Sequence, residues 1–135
     1  MTADHPRILL VEDEELNRTL VKAVLARADV AAVRDAEILD AGSLAAARTQ
    51  LGAHDIDLVL LDMNLPDGNG LTLAGELATG KLAGDRRRPS VVAVTASVLP
   101  QDRTAAVEAG CDGFLDKPYA AADLVGVVAE YLGKR

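Results

Sequence analysis

Tryptophan is absent from this chain, and Phe114, Tyr119 and Tyr131 are its only aromatic residues. The core must therefore be built from Leu, Val and Ala rather than from stacked rings. A single cysteine, Cys111, rules out an internal disulfide; following Gly110 in a tight loop, it reads as packed and inert. Basic residues are in the minority: 14 Lys and Arg stand against 21 Asp and Glu, for a net charge of −7. That balance argues against a general binder of nucleic acid or of an anionic membrane surface. No apolar run approaches the roughly 20 residues of a membrane span. The opening MTADHPR leads into no long apolar segment of the secretory type, so a cytoplasmic protein is expected. No Gly-x-x-x-x-Gly-Lys-Ser/Thr loop is present to cradle a nucleotide phosphate and its metal, since Leu82 follows Lys81. His5 and His54 lie in polar segments without a ligand-spaced neighbour and read as surface residues, which leaves hydrolysis by a Ser/His or Cys/His pair without its base.

What is present is a set of short apolar runs that end on reactive polar residues. ILLV leads to Glu12-Asp13, LVLL to Asp62, VVAV to Thr95, and GFLD to Lys117-Pro118. Each run has the length and composition of a buried strand. EILDA, at about 37–41, supplies another. Helical patterns separate them. Leu16, Leu20 and Val24 recur at helical spacing over about 14–28 and predict an amphipathic helix that covers one sheet face. SLAAARTQL predicts a helix with Ser43 as N-cap, and LTLAGELATGKL a helix with Gly80 near its end. PQDRTAAVEAG predicts one with Pro100 in its first turn and Gly110 at its stop, and AAADLVGVVAEYL the last. Five strands thus alternate with five helices, which implies a parallel α/β sheet covered on both faces with right-handed crossovers. One domain spans 1–135, with its core over about 7–132. NLPDGNG reads as a turn without regular structure. The segment 28–36 extends the first helix or forms a long loop, and RRR at 86–88 reads as a solvated loop.

In such a sheet all strand C-termini share one edge, where ligands bind. Glu12 and Asp13 alone could merely start a helix, and Asp62 alone could shape a turn. Placed on one edge with Thr95 and Lys117, they form a single site. Clustered carboxylates attract a hard dication such as Mg²⁺, which prefers oxygen ligands and phosphate oxygens. A hydroxyl and an ammonium beside them suit phosphoryl oxygens, and a carboxylate can itself accept a phosphoryl group.

With VEDE at the first strand end, LLDMNLPDGNG at the third, VTAS at the fourth and DKP at the fifth, the chain resembles a receiver domain of a two-component response regulator over essentially its whole length. The resemblance implies the flavodoxin-like doubly wound five-stranded sheet of order 2-1-3-4-5, an order the general rules of α/β folds illustrate with a member of this family. It implies that Asp62 is the phosphoacceptor, that Asp13 binds Mg²⁺ (or Mn²⁺) directly, and that Glu12 acts through metal-bound water. Asn64 would offer its backbone carbonyl to the metal, and the backbone N–H groups of Met63 and Ala96 would meet the phosphoryl group. Thr95 resembles the switch hydroxyl, Lys117 the phosphate-binding lysine before a cis Pro118, and Phe114 the rotating aromatic switch. Asn64 and Ser97 flank the point where water would attack.

The implied partners are a histidine kinase or histidine phosphotransfer domain and a downstream protein target, with no nucleic acid and no membrane. The implied state is a monomer or a phosphorylation-dependent dimer. LNRTLVKAVL resembles the first helix of receivers in multi-step phosphorelays. A stand-alone receiver, not a turnover enzyme, is expected, an excised domain of a hybrid kinase being the other option. Two readings compete. A Mg²⁺-dependent phosphatase would need a second acid/base aspartate that Asp62-Met63-Asn64 lacks. A receiver-like binding module not regulated by phosphorylation would not take up a phosphoryl group. A flavin site is disfavoured, since no Ser/Thr/Gly-rich loop follows the first strand.

Overall fold

The apolar runs form one parallel sheet because each is apolar on both faces and must be covered twice. In a computed structural model of the chain, residues 5–80, 88–96 and 99–133 are described, and the structural statements below refer to these. Ser97, and Arg86 and Arg87 of the arginine run, lie outside them. The strands are β1 (Arg7–Val11), β2 (Glu37–Ala41), β3 (Leu58–Asp62), β6 (Ser90–Thr95) and β7 (Gly113–Asp116). They pair in the order β2-β1-β3-β6-β7, all parallel, which is the expected 2-1-3-4-5 order. Between them stand α1 (Glu15–Ala26), α2 (Ala31–Arg34), α3 (Leu44–Ala53), α4 (Gly70–Ala78), α5 (Pro100–Ala109) and α6 (Ala121–Gly133). A two-stranded antiparallel hairpin, β4 (Asn64–Leu65) with β5 (Gly68–Asn69), follows β3.

Alternation along the strands divides the core in two. Leu9, Val11, Val59, Leu61, Val91 and Ala93 face α3, α4 and α5 through Leu44, Leu51, Leu73, Leu77 and Ala106. Ile8, Leu10, Leu58, Leu60, Val92 and Val94 face α1, α2 and α6 through Val21, Leu25, Val33, Leu124 and Val128. The caps follow the sequence: Ser43 accepts from the Ala46 N–H at 3.1 Å, Pro100 opens α5, and Gly110 ends it at φ 113°. Cys111 is buried, and that burial pushes its thiol up to about 11, which keeps it protonated at neutral pH.

Three expectations need correction. The segment after α1 neither extends that helix nor forms a loop; a separate turn of helix, α2, places Val33 in the core and brings the helix total to six. The 64–69 segment is not irregular, because its Pro and Gly residues fall outside or at the ends of the Asn64↔Asn69 and Leu65↔Gly68 pairs and leave room for a short ladder. The core face of α1 is not the Leu16–Leu20 stripe. Leu16 is 67% and Leu20 54% exposed, whereas Val21 and Leu25 are buried. Leu16 and Leu20 lie one residue off the row that the sheet selects, so the leucine spacing marks the wrong side of the helix. Among the described residues no helix is long and apolar enough to cross a membrane.

Truncation separates the two rows of α1. Leu25→Ala should cost about 2–5 kcal/mol in urea denaturation, while Leu16→Ala and Leu20→Ala should each stay within about 0.5 kcal/mol of the parent. Equal losses would mean that α1 is seated the other way round.

Candidate functional site

Glu12 and Asp62 extend the rows that end in Leu10 and Leu60, so both carboxylates emerge on the α1–α6 side of the sheet. There they are floored by Val21, Tyr119 and Leu124. The ladders run one residue past the strands to fix them: the Glu12 N–H donates to the Ala41 carbonyl at 2.9 Å, and the Lys117 N–H to the Thr95 carbonyl at 2.8 Å. Glu12 is 6% and Asp62 8% exposed; they are the buried acids of the described residues. Asp13, just past the strand, is exposed. One carboxylate oxygen from each of Glu12, Asp13 and Asp62 lies within 4.8 Å of the others.

Such crowding is costly for like charges, and the neighbours offset it. The Lys117 ammonium stands 3.6 Å from Asp62 Oδ1 and 3.9 Å from Glu12 Oε1. Asp62 Oδ1 also accepts from the Asn64 N–H at 3.2 Å. Glu12 Oε2 accepts from the Glu14 N–H at 3.1 Å, and Glu12 Oε1 from Asn17 Nδ2 at 3.3 Å. Arg18 Nη1 donates to the Glu12 carbonyl at 2.7 Å, while its Nε lies 3.6 Å from Asp40, which Lys22 approaches at 2.5 Å. The compensation is incomplete: burial raises the Glu12 carboxyl above its usual range, the Glu14 N–H draws it back, and the Asp62 charge raises it again. Burial likewise raises the Tyr119 phenol, helped by the charges of Glu12 and Asp62.

Thr95 continues the opposite row, after Val91 and Ala93. With Met63, Asn64, Ala96, Arg103 and Phe114 it lines a cavity of about 230 Å³. Phe114 is half-buried, and the Arg103 guanidinium sits 5.0 Å from its ring centroid while pairing with Asp116. Lys117-Pro118 is cis. The expected residues thus fall into two adjoining groups. Glu12, Asp13, Asp62 and Lys117 meet at the sheet edge, and Thr95, Ala96, Met63, Asn64 and Phe114 meet at the cavity beside it. Sequence reasoning missed Asn17, Arg18 and Arg103. Asn17 and Arg18 fall one turn into α1, so their polarity on the sheet-edge side was the available signal.

Three carboxylates with an ammonium beside them give an oxygen-only donor set, which suits a hard dication that keeps part of its water. The residues fit Mg²⁺ on this ground.

Comparison with known proteins agrees with the geometry. The profile of the family described as "Response regulator receiver domain" matches residues 8–129. The two-component response regulator ORR41 of Oryza sativa subsp. japonica is 35% identical over 125 residues, which span 93% of each chain. The sensory/regulatory protein RpfC of Xanthomonas campestris pv. campestris is 34% identical over 127 residues, 92% of this chain but 16% of that protein. A crystal structure of the receiver domain of the sensor histidine kinase PA1611 from Pseudomonas aeruginosa, described with a magnesium ion coordinated in its active-site cleft, has a TM-score of 0.78 at 26% identity. It covers 96% of this chain and 99% of that one.

Because the folded Glu12 carboxyl holds its proton more tightly than an unfolded one, the native state loses stability as pH rises from the usual carboxylate value of 4.5 through the raised value. Glu12→Gln removes that loss. Without metal it should raise unfolding stability by about 0.5–1 kcal/mol at pH 7 and by little at pH 4, as measured by chemical denaturation at both. A loss at pH 7 would mean that the charge is favourable where it stands.

Proposed function

Because the chain belongs to the response regulator receiver domain family, we propose that it accepts a phosphoryl group in a two-component or phosphorelay system. Asp62 is the acceptor, and the donor is a phosphohistidine of a partner histidine kinase or phosphotransfer domain. The observation that carries this reading is the convergence of Glu12, Asp13, Asp62 and Lys117 at the C-terminal edge of the sheet. An Asp62 carboxylate oxygen forms a bond to phosphorus as the phosphorus–nitrogen bond of the phosphohistidine breaks; the imidazole leaves with the electron pair and takes up a proton from water. Glu12, Asp13, Asp62 and the Asn64 carbonyl would hold Mg²⁺, which when bound supplies positive charge against the phosphoryl oxygens. Lys117 neutralises charge on the same oxygens, and the N–H groups of Met63 and Ala96 orient them. Asp62-Met63-Asn64 lacks the second acid/base aspartate that repeated hydrolysis of small esters would use, so the domain acts as a signalling module rather than a turnover enzyme.

The phosphoryl group then draws the Thr95 hydroxyl toward it, and Phe114 turns into the space this leaves. The shared cavity and the half-buried ring support this. Rotation carries the ring out from under Arg103 and repacks the face of α5, β7 and α6 for a downstream protein or for a second copy. Ligation shifts a two-state equilibrium by contacts made in one state. Leu20 of α1 lines the same groove as Glu12 and Lys117, and Leu16, one helix turn earlier, is exposed like it. A helical histidine domain fits against them.

Incubation with acetyl phosphate and Mg²⁺ should add one phosphoryl group to the intact mass. The adduct should vanish in Asp62→Ala and on chelation of the metal, and should form about a hundredfold more slowly in Lys117→Ala. A folded, Mg²⁺-binding protein that gains no mass from acetyl phosphate or from a phosphohistidine donor would instead support the module that is not regulated by phosphorylation. Replacing Leu16 and Leu20 by Ser should slow transfer from the phosphohistidine partner while labelling by acetyl phosphate proceeds at the parent rate. Slowing of both would place these leucines in the fold rather than in docking.

A further inference from the structure

The hairpin that follows Asp62 is tied at both ends. At its near end, the Asn64 N–H reaches Asp62 Oδ1 at 3.2 Å, and the Gly70 N–H closes on the Met63 carbonyl at 2.9 Å. At its tip, Asp67 reaches across to the next layer. Its Oδ1 accepts from the Leu44 N–H at 2.8 Å, and its Oδ2 from the Ala45 N–H at 3.1 Å, both in the first turn of α3. These two bonds, of which the one to Leu44 is the stronger influence, hold its carboxyl below the usual range. Leu44 closes on the same tip: a Cβ on Gly68 would lie 2.9 Å from Leu44 Cδ1. One helix turn on, Arg48 makes a two-pronged pair with Glu76 of α4, both bonds 2.8 Å, so the helices on either side of the hairpin are themselves joined.

We propose that Asp67 is a positioning residue for the acidic site: by pinning the hairpin tip to the start of α3, it fixes the backbone of Asn64 beside Asp62 and so sets the affinity for Mg²⁺. The inference rests on the reading that Mg²⁺ binds at Glu12, Asp13 and Asp62 with help from the Asn64 carbonyl. A backbone ligand has no rotamer of its own to adjust; its place is set by what holds the loop. The Asp67 oxygens hold it at the hairpin tip, away from the end that carries the Asn64–Asp62 bond. Both residues cap α3, Ser43 through the Ala46 N–H and Asp67 through those of Leu44 and Ala45, but only Asp67 also ties the helix to the hairpin. Loss of Ser43 therefore weakens the helix end while the tether stays in place.

The test is Mg²⁺ titration of the full chain by calorimetry, together with amide exchange without metal. Asp67→Ala should weaken Mg²⁺ binding about threefold to tenfold, at or below the low end of the effect of residues that orient metal ligands, and should speed exchange at Asn64 and Gly70. Asp67→Asn keeps one acceptor oxygen and no charge, and should recover part of the affinity. Ser43→Ala should lower the thermal midpoint yet bind Mg²⁺ as the parent does. The proposal is overturned if Asp67→Ala binds Mg²⁺ as the parent does, if Asp67→Asn loses as much as Ala (a charge effect alone), or if Ser43→Ala weakens binding equally. If the parent itself binds no Mg²⁺, the metal reading fails instead. The exchange rates at Asn64 and Gly70 still judge the tether in that case, and unchanged rates in Asp67→Ala would sink it.

Discussion

Repulsion among carboxylates brought together at the end of a parallel sheet sets the terms for the structure around them. Glu12 and Asp62 are nearly buried, and Asp13 stands beside them. Removal from water makes an unpaired charge expensive, and a second carboxylate close by adds to that cost. The surroundings answer with one ammonium at 3.6–3.9 Å, with backbone N–H groups, and with the Arg18 guanidinium at the Glu12 carbonyl. Burial above all, and then the Asp62 charge, still hold the Glu12 carboxyl above its usual range in spite of these partners. A site left in that condition favours any cation or cation-bearing ligand that completes it. The fold thus carries its electrostatic debt where its chemistry is needed.

The hydrophobic layers allow the debt to be carried. Two cores, one on each sheet face, bury most of the inner strands β1, β3 and β6, and β3 is buried along its whole length. Asp62 is the last residue of that strand and cannot retreat into solvent without disturbing the core behind it. Ion pairs farther out divide the remaining charge. Arg103 engages Asp116, the residue next to Lys117, so the ammonium answers to the two acids of the site and not to its chain neighbour. Asp40 is likewise taken up by Arg18 and Lys22.

Much of this was legible in the sequence. Apolar runs that end in Glu12-Asp13, Asp62, Thr95 and Lys117 are strands because nothing else buries such short runs on both faces, and the shared edge follows from parallel order. The less legible parts have physical reasons. Along α1 the apolar residues occupy two neighbouring rows, and spacing alone cannot say which row the sheet takes; Val21 and Leu25 win because β-strand side chains meet them. The turn Ala31–Arg34 is too short for periodicity to register. Asp67 and Arg103 act across space, on Leu44 and Phe114, and no local pattern encodes a partner 23 residues away in the case of Asp67. The Pro and Gly of 64–69 pointed to a turn without regular structure, but Asn64↔Asn69 and Leu65↔Gly68 pair on either side of Pro66 and Asp67.

Strand alternation sorts the chemistry as well as the core. Glu12 and Asp62 fall on the row facing α1 and α6, and Thr95 falls on the row facing α5, where Phe114 waits. A strand lengthened by one residue would exchange these rows and send Thr95 to the acidic side or an acid into the cavity. Insertions and deletions are therefore barred from the strands and confined to the connections. The separate turn of α2 lies in one such connection, between α1 and β2.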